Sequence, residues 1–267
     1  KLLQCDIVGD ADFSKWDGSI NSAIMDAIFE VFQQRYQGKH AAILKYIANT
    51  TTRSWTLVND EVWATTHGLP SGTWLTLLIN CLLNKALSAL VIHRNKKDPK
   101  VTDVFSVVDY VMGDDKIIGA KGEMSKIFNL ITIRDVATDL GMTATNGDKS
   151  AITQASHNFN SLTFVKRHFR MHHDLCHYVG VLSVDTLINT LQWRDASRDA
   201  DQVISGKIRS VQVEAALHSR MLFERITNVC LETYPMYPLF TYEQALKIVE
   251  SPKGYDYVMR GLDKFFA

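Results

Sequence analysis

Apolar residues recur at helical spacing through Ile20, Ile24, Ile28 and Val31 or Phe32, whereas Cys5–Ala11 alternates and runs into acidic residues. The first pattern predicts an amphipathic helix and the second a short strand. Ser54–Val58 reads as another strand, followed by the loop HGLPSGT (67–73) and a long helix over about Trp74–Arg94. Val104–Met112 is apolar and β-branched, Gly113-Asp114-Asp115 is a turn, and Lys116–Ala120 resumes the strand. Together they predict a hairpin with two carboxylates at its tip. A helix over Glu123–Leu140 is stopped by Gly141, and Ser161–Val181 predicts a second hairpin around a histidine-rich segment.

From Ser183 onward the pattern is helical, over Val184–Trp193, Lys207–Glu232 and Thr241–Glu250. The last opens with Thr241 and Gln244 at capping-box spacing. Mixed strands and helices therefore give way to helices near residue 182. The expectation is an α+β chain in two parts, 1–182 and 183–267, without repeats or low-complexity segments.

Composition changes this picture little. Hydrophobic residues make up 46% and charged residues 22% of the 267, as in ordinary globular proteins. Lys plus Arg equals Asp plus Glu at 29 each, so net charge points to no nucleic-acid partner, although acidic surface elsewhere can offset a basic channel. Cys5, Cys81, Cys176 and Cys230 form no CxxC pair and read as buried thiols of a reducing compartment. The apolar run Trp74–Ile92 is interrupted by Asn80, Asn84 and Lys85, which predicts a buried helix rather than direct membrane insertion. No signal peptide is read, and the abrupt opening KLLQCDIVGDAD suggests an upstream segment.

Candidate chemistry lies in the acids. GDADFSKWDGSI places Asp12 at a strand end and Asp17 five residues on, at a helix start. If that strand neighbours the hairpin, Asp12 meets Asp114 and Asp115. Clustered carboxylates repel unless a cation neutralises them. Mg²⁺ suits a few carboxylate oxygens with water and phosphate in its other positions. Two ions roughly 3.5–4 Å apart serve in-line phosphoryl transfer. Alone, GDD is a common turn and paired acids at helix starts are often caps. Asp10 competes for the metal role but lacks an acid five residues later. It is expected on the other face of the sheet or in solvent.

DFSKWD (12–17), HGLPSGTWLTLLIN (67–80), YVMGDD (110–115), GMTATNGDKS (141–150) and LTFVKRHFR (162–170) occur in one order. They resemble motifs A to E of the viral RNA-dependent RNA polymerases, in the picornavirus-like group. The resemblance covers about residues 6–180. The helical remainder, with LQWRD (191–195), looks like that family's thumb. It implies a right-hand polymerase palm, an antiparallel sheet flanked by helices over 1–182, followed by a helical thumb over 183–267, with the fingers largely absent. The implied activity is template-directed nucleotidyl transfer from nucleoside triphosphates to an RNA 3′-hydroxyl, by a two-metal mechanism using Mg²⁺, for which Mn²⁺ can substitute.

Asp12 and Asp114 would hold the metals with Asp115 assisting, and Lys149 would protonate the departing pyrophosphate. Asp17 would read the ribose in a network with Ser71, Gly72, Thr76 and Asn80. Lys166 and Arg167 would brace the RNA backbone. The implied partners are RNA template and primer, nucleoside triphosphates, the missing fingers and other viral replication proteins. The implied location is the host cytoplasm, in membrane-associated replication complexes. Met112 stands where close relatives commonly have Tyr, and the basic motif F of the fingers is not in this chain, so the chain is expected to be a fragment with little activity alone.

Two other readings carry less. Reverse transcriptases share the paired acids but exclude the 2′-hydroxyl with an aromatic gate, where this chain has Asp17. His168, His172, His173, Cys176 and His177 are potential zinc ligands. A predicted hairpin points adjacent residues to opposite faces, so they are expected on a strand surface near nucleic acid.

Overall fold

The computed structural model describes residues 1–65, 67–69, 72, 75–193 and 200–251. They form two compact units, Lys1–Val165 and Lys166–Ala267. The boundary falls inside the predicted second hairpin. In the first unit the elements are β1 (Ile7–Ser14), α1 (Trp16–Ser19), α2 (Ser22–Gln33), α3 (Lys39–Thr52), β2 (Trp55–Val58), β3 (Glu61–Ala64) and α4 (Thr76–Asn95). There follow β4 (Val108–Met112), β5 (Asp115–Ala120), α5 (Met124–Ile127), α6 (Leu130–Asp139), β6 (Thr143–Thr145) and β7 (Thr163–Phe164).

A four-stranded antiparallel sheet in the order β4-β5-β1-β6 is the frame. Strand β1 runs to Ser14, further than the alternation of Cys5–Ala11 predicts, because β6 pairs with its far end. Asp12 therefore lies within a strand rather than at its end. Ala11 and Phe13 join a core with Phe29, Ile79, Leu83, Leu87, Phe128, Leu130 and Ile133. Each of the Phe, Ile and Leu side chains contributes about 1.5–3 kcal/mol when fully buried.

Helix α4 is apolar and long enough by composition to cross a membrane, yet Ile79, Leu83, Leu87, Val91 and Ile92 pack into this core. In α2 the buried positions are Met25 and Phe29, whereas Val31 is 60% exposed. The burying stripe is rotated about one residue from the predicted one, toward the bulkier Phe29.

Two predicted elements of this unit differ. Residues 104–107 are not strand, because Val101–Ser106 is a 3₁₀ turn tied by the Lys100 N–H donating to Asp103 Oδ2 at 2.7 Å. The helix over Glu123–Leu140 is broken at Asn129. Its side chain accepts from Thr132 N at 3.1 Å while Thr132 Oγ1 accepts from Asn129 N at 3.0 Å, so the local cap outcompetes continuation. Strand β2 falls within the predicted Ser54–Val58, whereas α3 and β3 carry weak signals. The former is Thr- and Ala-rich, and every residue of the latter is exposed, leaving no alternation to read.

The second unit comprises β8 (Arg167–His172), β9 (His177–Val181), α7 (Val184–Gln192), α8 (Ala200–His218), α9 (Arg220–Thr233) and α10 (Tyr242–Glu250). Strands β8 and β9 form an antiparallel hairpin. The helices bury Leu187, Val211, Val213, Phe223, Phe240, Ala245 and Ile248. The predicted helix Lys207–Glu232 is two, because Ser219 caps a new N-terminus by accepting from Leu222 N at 3.2 Å. Thr241 and Gln244 form the predicted capping box.

The Tyr242 hydroxyl donates to Asp174 Oδ2 at 2.7 Å. Burial and this bond push its pKa up to about 12. A raised folded pKa means that the stabilisation is complete below the unfolded tyrosine value of about 10 and is lost as pH rises through the folded one. Spectrophotometric titration should show Tyr242 ionising after the ordinary tyrosines, and Tyr242→Phe should remove that late step.

Candidate active site

Strand β1 sets the first acid. Alternation sends Ala11 and Phe13 to the core and leaves Asp10 and Asp12 on the opposite face. Asp12 is 5% exposed, and its Oδ1 accepts from Phe13 N at 2.6 Å. Asp10 shares the parity of Asp12, so the expectation that it takes the other face or solvent is incorrect. It is 4% exposed and accepts from Thr163 N at 2.9 Å and Thr163 Oγ1 at 2.7 Å. Those two bonds hold Asp10 in a structural role away from Asp12's partners.

The other two acids come from the β4–β5 hairpin. Met112 pairs with Asp115, leaving Gly113-Asp114 as a two-residue turn. Gly113 has φ +68°, while Asp114 is not among the residues of positive φ, the pattern of a type II′ turn. Antiparallel pairing of β5 with β1 brings this tip to Asp12. One ligand atom from each of Asp12, Asp114 and Asp115 lies within 4.8 Å of the others. It is the group of three or more His, Cys, Asp or Glu that converges this way among the described residues.

Lys149 adds a cation, its Nζ against Asp12 Oδ2. Its backbone sits at φ +70°, an unusual conformation for a lysine, of the kind held at functional sites by the surrounding structure. Three carboxylates at this separation repel strongly, and one ammonium offsets them only in part. All-oxygen donors with open positions fit a hard divalent cation.

The second part of the site is a cleft of about 630 Å³ lined by Lys15, Asp17, Asn80, Asp114 and Lys149, with Phe13 and Trp16 behind. Asn80 Nδ2 donates to Asp17 Oδ1 at 2.8 Å across 63 residues of sequence. The 67–69 loop is stapled to the same place, Gly68 N donating to Ile20 O at 2.8 Å and Leu69 N to Asp17 O at 2.7 Å. At Gly68, φ is +86° and an added Cβ would stand 3.0 Å from Asp17 O, so both conformation and space demand glycine. Gly72 has φ +88°. Thr76 begins α4, one turn before Asn80 and on its face. Ser71 lies outside the described residues.

In the second unit Lys166 is exposed with φ +60°. The Arg167 guanidinium is engaged with its own unit, donating to Glu214 at 2.8 and 2.7 Å and to Gly180 O at 2.9 Å. Of the histidine-rich segment, His172 departs from the strand-surface expectation. It is 2% exposed, with Nε2 donating to Ala216 O at 2.9 Å and Nδ1 accepting from Leu175 N at 3.1 Å. That arrangement is met by a neutral imidazole.

Sequence reasoning missed the support of the acidic turn. Gly113 N donates to Cys81 Sγ at 3.2 Å, and Asn84 Nδ2 donates to Gly113 O and Asp114 O, each at 3.2 Å. Beneath them Lys116, 1% exposed, donates to Asp109 Oδ1 at 3.0 Å, to Asn84 O at 3.1 Å and to Ser88 Oγ. Lys85 meets Asp109 from the other side at 3.2 Å. The signal was present in outline: positions 81, 84, 85 and 88 form a polar stripe at helical spacing in an apolar helix.

Fold and site together define a mixed α+β protein with an acidic centre, suited to a divalent cation, beside an open cleft. The chain belongs to the viral RNA-dependent RNA polymerase family, whose profile matches residues 3–233. It is 27% identical over 262 residues to the replicase polyprotein of Drosophila C virus (strain EB), covering 90% of this chain and 15% of that protein. It is 25% identical over 239 residues to the replicase polyprotein of acute bee paralysis virus (strain Rothamsted), covering 84% and 12%. Its fold matches the Sicinivirus 3Dpol RNA-dependent RNA polymerase with a TM-score of 0.75 at 17% identity, over 97% of this chain and 53% of that one. The chain thus spans about half of that polymerase and a small part of the polyproteins.

Proposed function

We propose that this chain carries the catalytic centre of an RNA-directed RNA polymerase, which extends an RNA primer on an RNA template with nucleoside triphosphates. The observation that carries this reading is the convergence of Asp12, Asp114 and Asp115 within 4.8 Å in a chain of this family. In this reading 1–182 is the palm and 183–267 the thumb. The upstream fingers, other viral replication proteins and a cytoplasmic, membrane-associated replication complex complete the setting.

Asp12, Asp114 and Asp115 would hold two Mg²⁺ ions, with Mn²⁺ as substitute. When bound, these ions would activate the primer hydroxyl and steady the leaving pyrophosphate. The chain's own residues supply position and charge. Asp12 is rigid within the sheet, and Asp114 is presented by a tight turn. Lys149 reaches the Asp12 carboxylate and would give a proton to pyrophosphate. Asp17, oriented by Asn80, offers an acceptor to the ribose 2′-hydroxyl, and Ser71, Gly72 and Thr76 are proposed to join it in nucleotide recognition. Lys166 contacts the RNA backbone, a sequence-independent interaction. Arg167, its charge shared with Glu214, serves the same strand chiefly by stiffening the hairpin base.

Primer extension by a polymerase containing this chain tests the reading. RNA-templated incorporation that depends on Mg²⁺ is expected, and its absence at every divalent ion tried would refute the assignment. Asp17→Ala should lower the preference for ribonucleotides over deoxyribonucleotides by about 10–100-fold, the range for losing a hydrogen bond to a charged group. An unchanged preference would remove Asp17 from ribose recognition.

A further inference from the structure

Helix α4 turns its polar stripe toward the β4–β5 hairpin. Cys81 receives the Gly113 N–H, and one turn later the Asn84 amide donates to both carbonyls of the turn, Gly113 O and Asp114 O, at 3.2 Å each. Two carbonyl oxygens at that spot dictate which end of the amide faces them, because only nitrogen can donate. Asn84 is 0% exposed, and its Oδ1 accepts from no protein group among the described residues. Burying an unpaired amide oxygen costs free energy that an aliphatic residue of similar size does not incur. Packing therefore does not account for asparagine at this position, whereas the turn does.

The turn needs such a brace. Asp114 and Asp115 stand beside Asp12 against mutual repulsion, and nothing within a two-residue turn ties its outward carbonyls. One helical turn earlier on α4, Asn80 holds Asp17 in the same way. A single rigid helix thus sets both the acidic centre and the cleft beside it.

We propose that Asn84 is a positioning residue for the acidic centre, holding the Gly113–Asp114 backbone so that the three carboxylates bind a divalent cation together. This rests on the metal-binding reading of Asp12, Asp114 and Asp115 given above. Asn84 acts through the turn and touches neither substrate nor cation. The arrangement is that of groups behind a metal's ligands, whose loss typically weakens metal binding about 10–100-fold.

The test titrates the full chain with Mn²⁺, followed by water-proton relaxation, alongside thermal melting. Wild type is compared with Asn84→Leu, Asn84→Ala and Asp114→Ala. Asn84→Leu should melt below wild type, since two turn carbonyls lose their donor, and bind Mn²⁺ about 10–100-fold more weakly. Asn84→Ala should weaken binding similarly and decides the matter if the leucine variant does not fold. A merely structural asparagine would show the same fall in melting with Mn²⁺ binding intact. Wild-type affinity in both Asn84 variants, with binding lost in Asp114→Ala, overturns the inference and leaves the polymerase reading standing. Wild-type affinity in Asp114→Ala, or no Mn²⁺ binding by the wild type, overturns the metal centre and the inference with it.

Discussion

Replacing Asp114 by alanine should lower RNA-templated elongation by about three orders of magnitude or more in a polymerase containing this chain, with melting unchanged. The size follows from the chemistry: charge stabilisation by a held cation is worth several kcal/mol, and each 1.36 kcal/mol is tenfold in rate. The small effect on stability follows from place. Asp114 occupies the tip of a turn whose backbone, not its carboxylate, is held by Asn84. Surface changes of this kind usually stay within about 0.5 kcal/mol. Asp12→Ala should abolish elongation equally but also disturb folding, because Asp12 is buried against Lys149 and the Phe13 N–H. Single-nucleotide extension at saturating Mg²⁺, with circular dichroism melting, distinguishes the two. Extension by Asp114→Ala within a few-fold of wild type would place the catalytic acids elsewhere.

Lys116→Met should be the most destabilising single change near the site, by about 3–5 kcal/mol, the range for removing one partner of a buried ion pair. Lys116 is 1% exposed and Asp109 has 7% side-chain exposure, so the acid loses its dry partner and keeps only half-exposed Lys85. Burial pushes the Lys116 ammonium below the usual lysine range, and Asp109 beside it opposes that shift. A drop of about 10 °C in melting temperature is expected. Adding Asp109→Asn should restore part of the loss, since the uncompensated carboxylate is then gone. A Lys116→Met chain that melts within about 2 °C of wild type would show that the pair contributes little.

The sequence was most legible where a signal is local. Helix α4, the β4–β5 hairpin and the capping box at Thr241 follow from spacing alone. Asp12, Asp17, Asp114 and Asp115 stand out because acids flank strand and turn patterns. Legibility failed where local rules compete. Asn129 and Ser219 end helices that hydrophobic periodicity would continue, and the exposed strand β3 has no buried face to alternate with.

What the sequence by itself determined was the set of chemical groups and the backbone element that carries each one, because propensity and period act within a few residues. Which groups meet was decided only by tertiary structure. Lys149 reaches Asp12 across 137 residues and Asn80 reaches Asp17 across 63, separations at which no periodicity operates. The same holds for Asp10, turned to Thr163, and for Arg167, turned to Glu214. Each polar side chain had several possible partners in the linear chain, and sheet register with helix packing selected one.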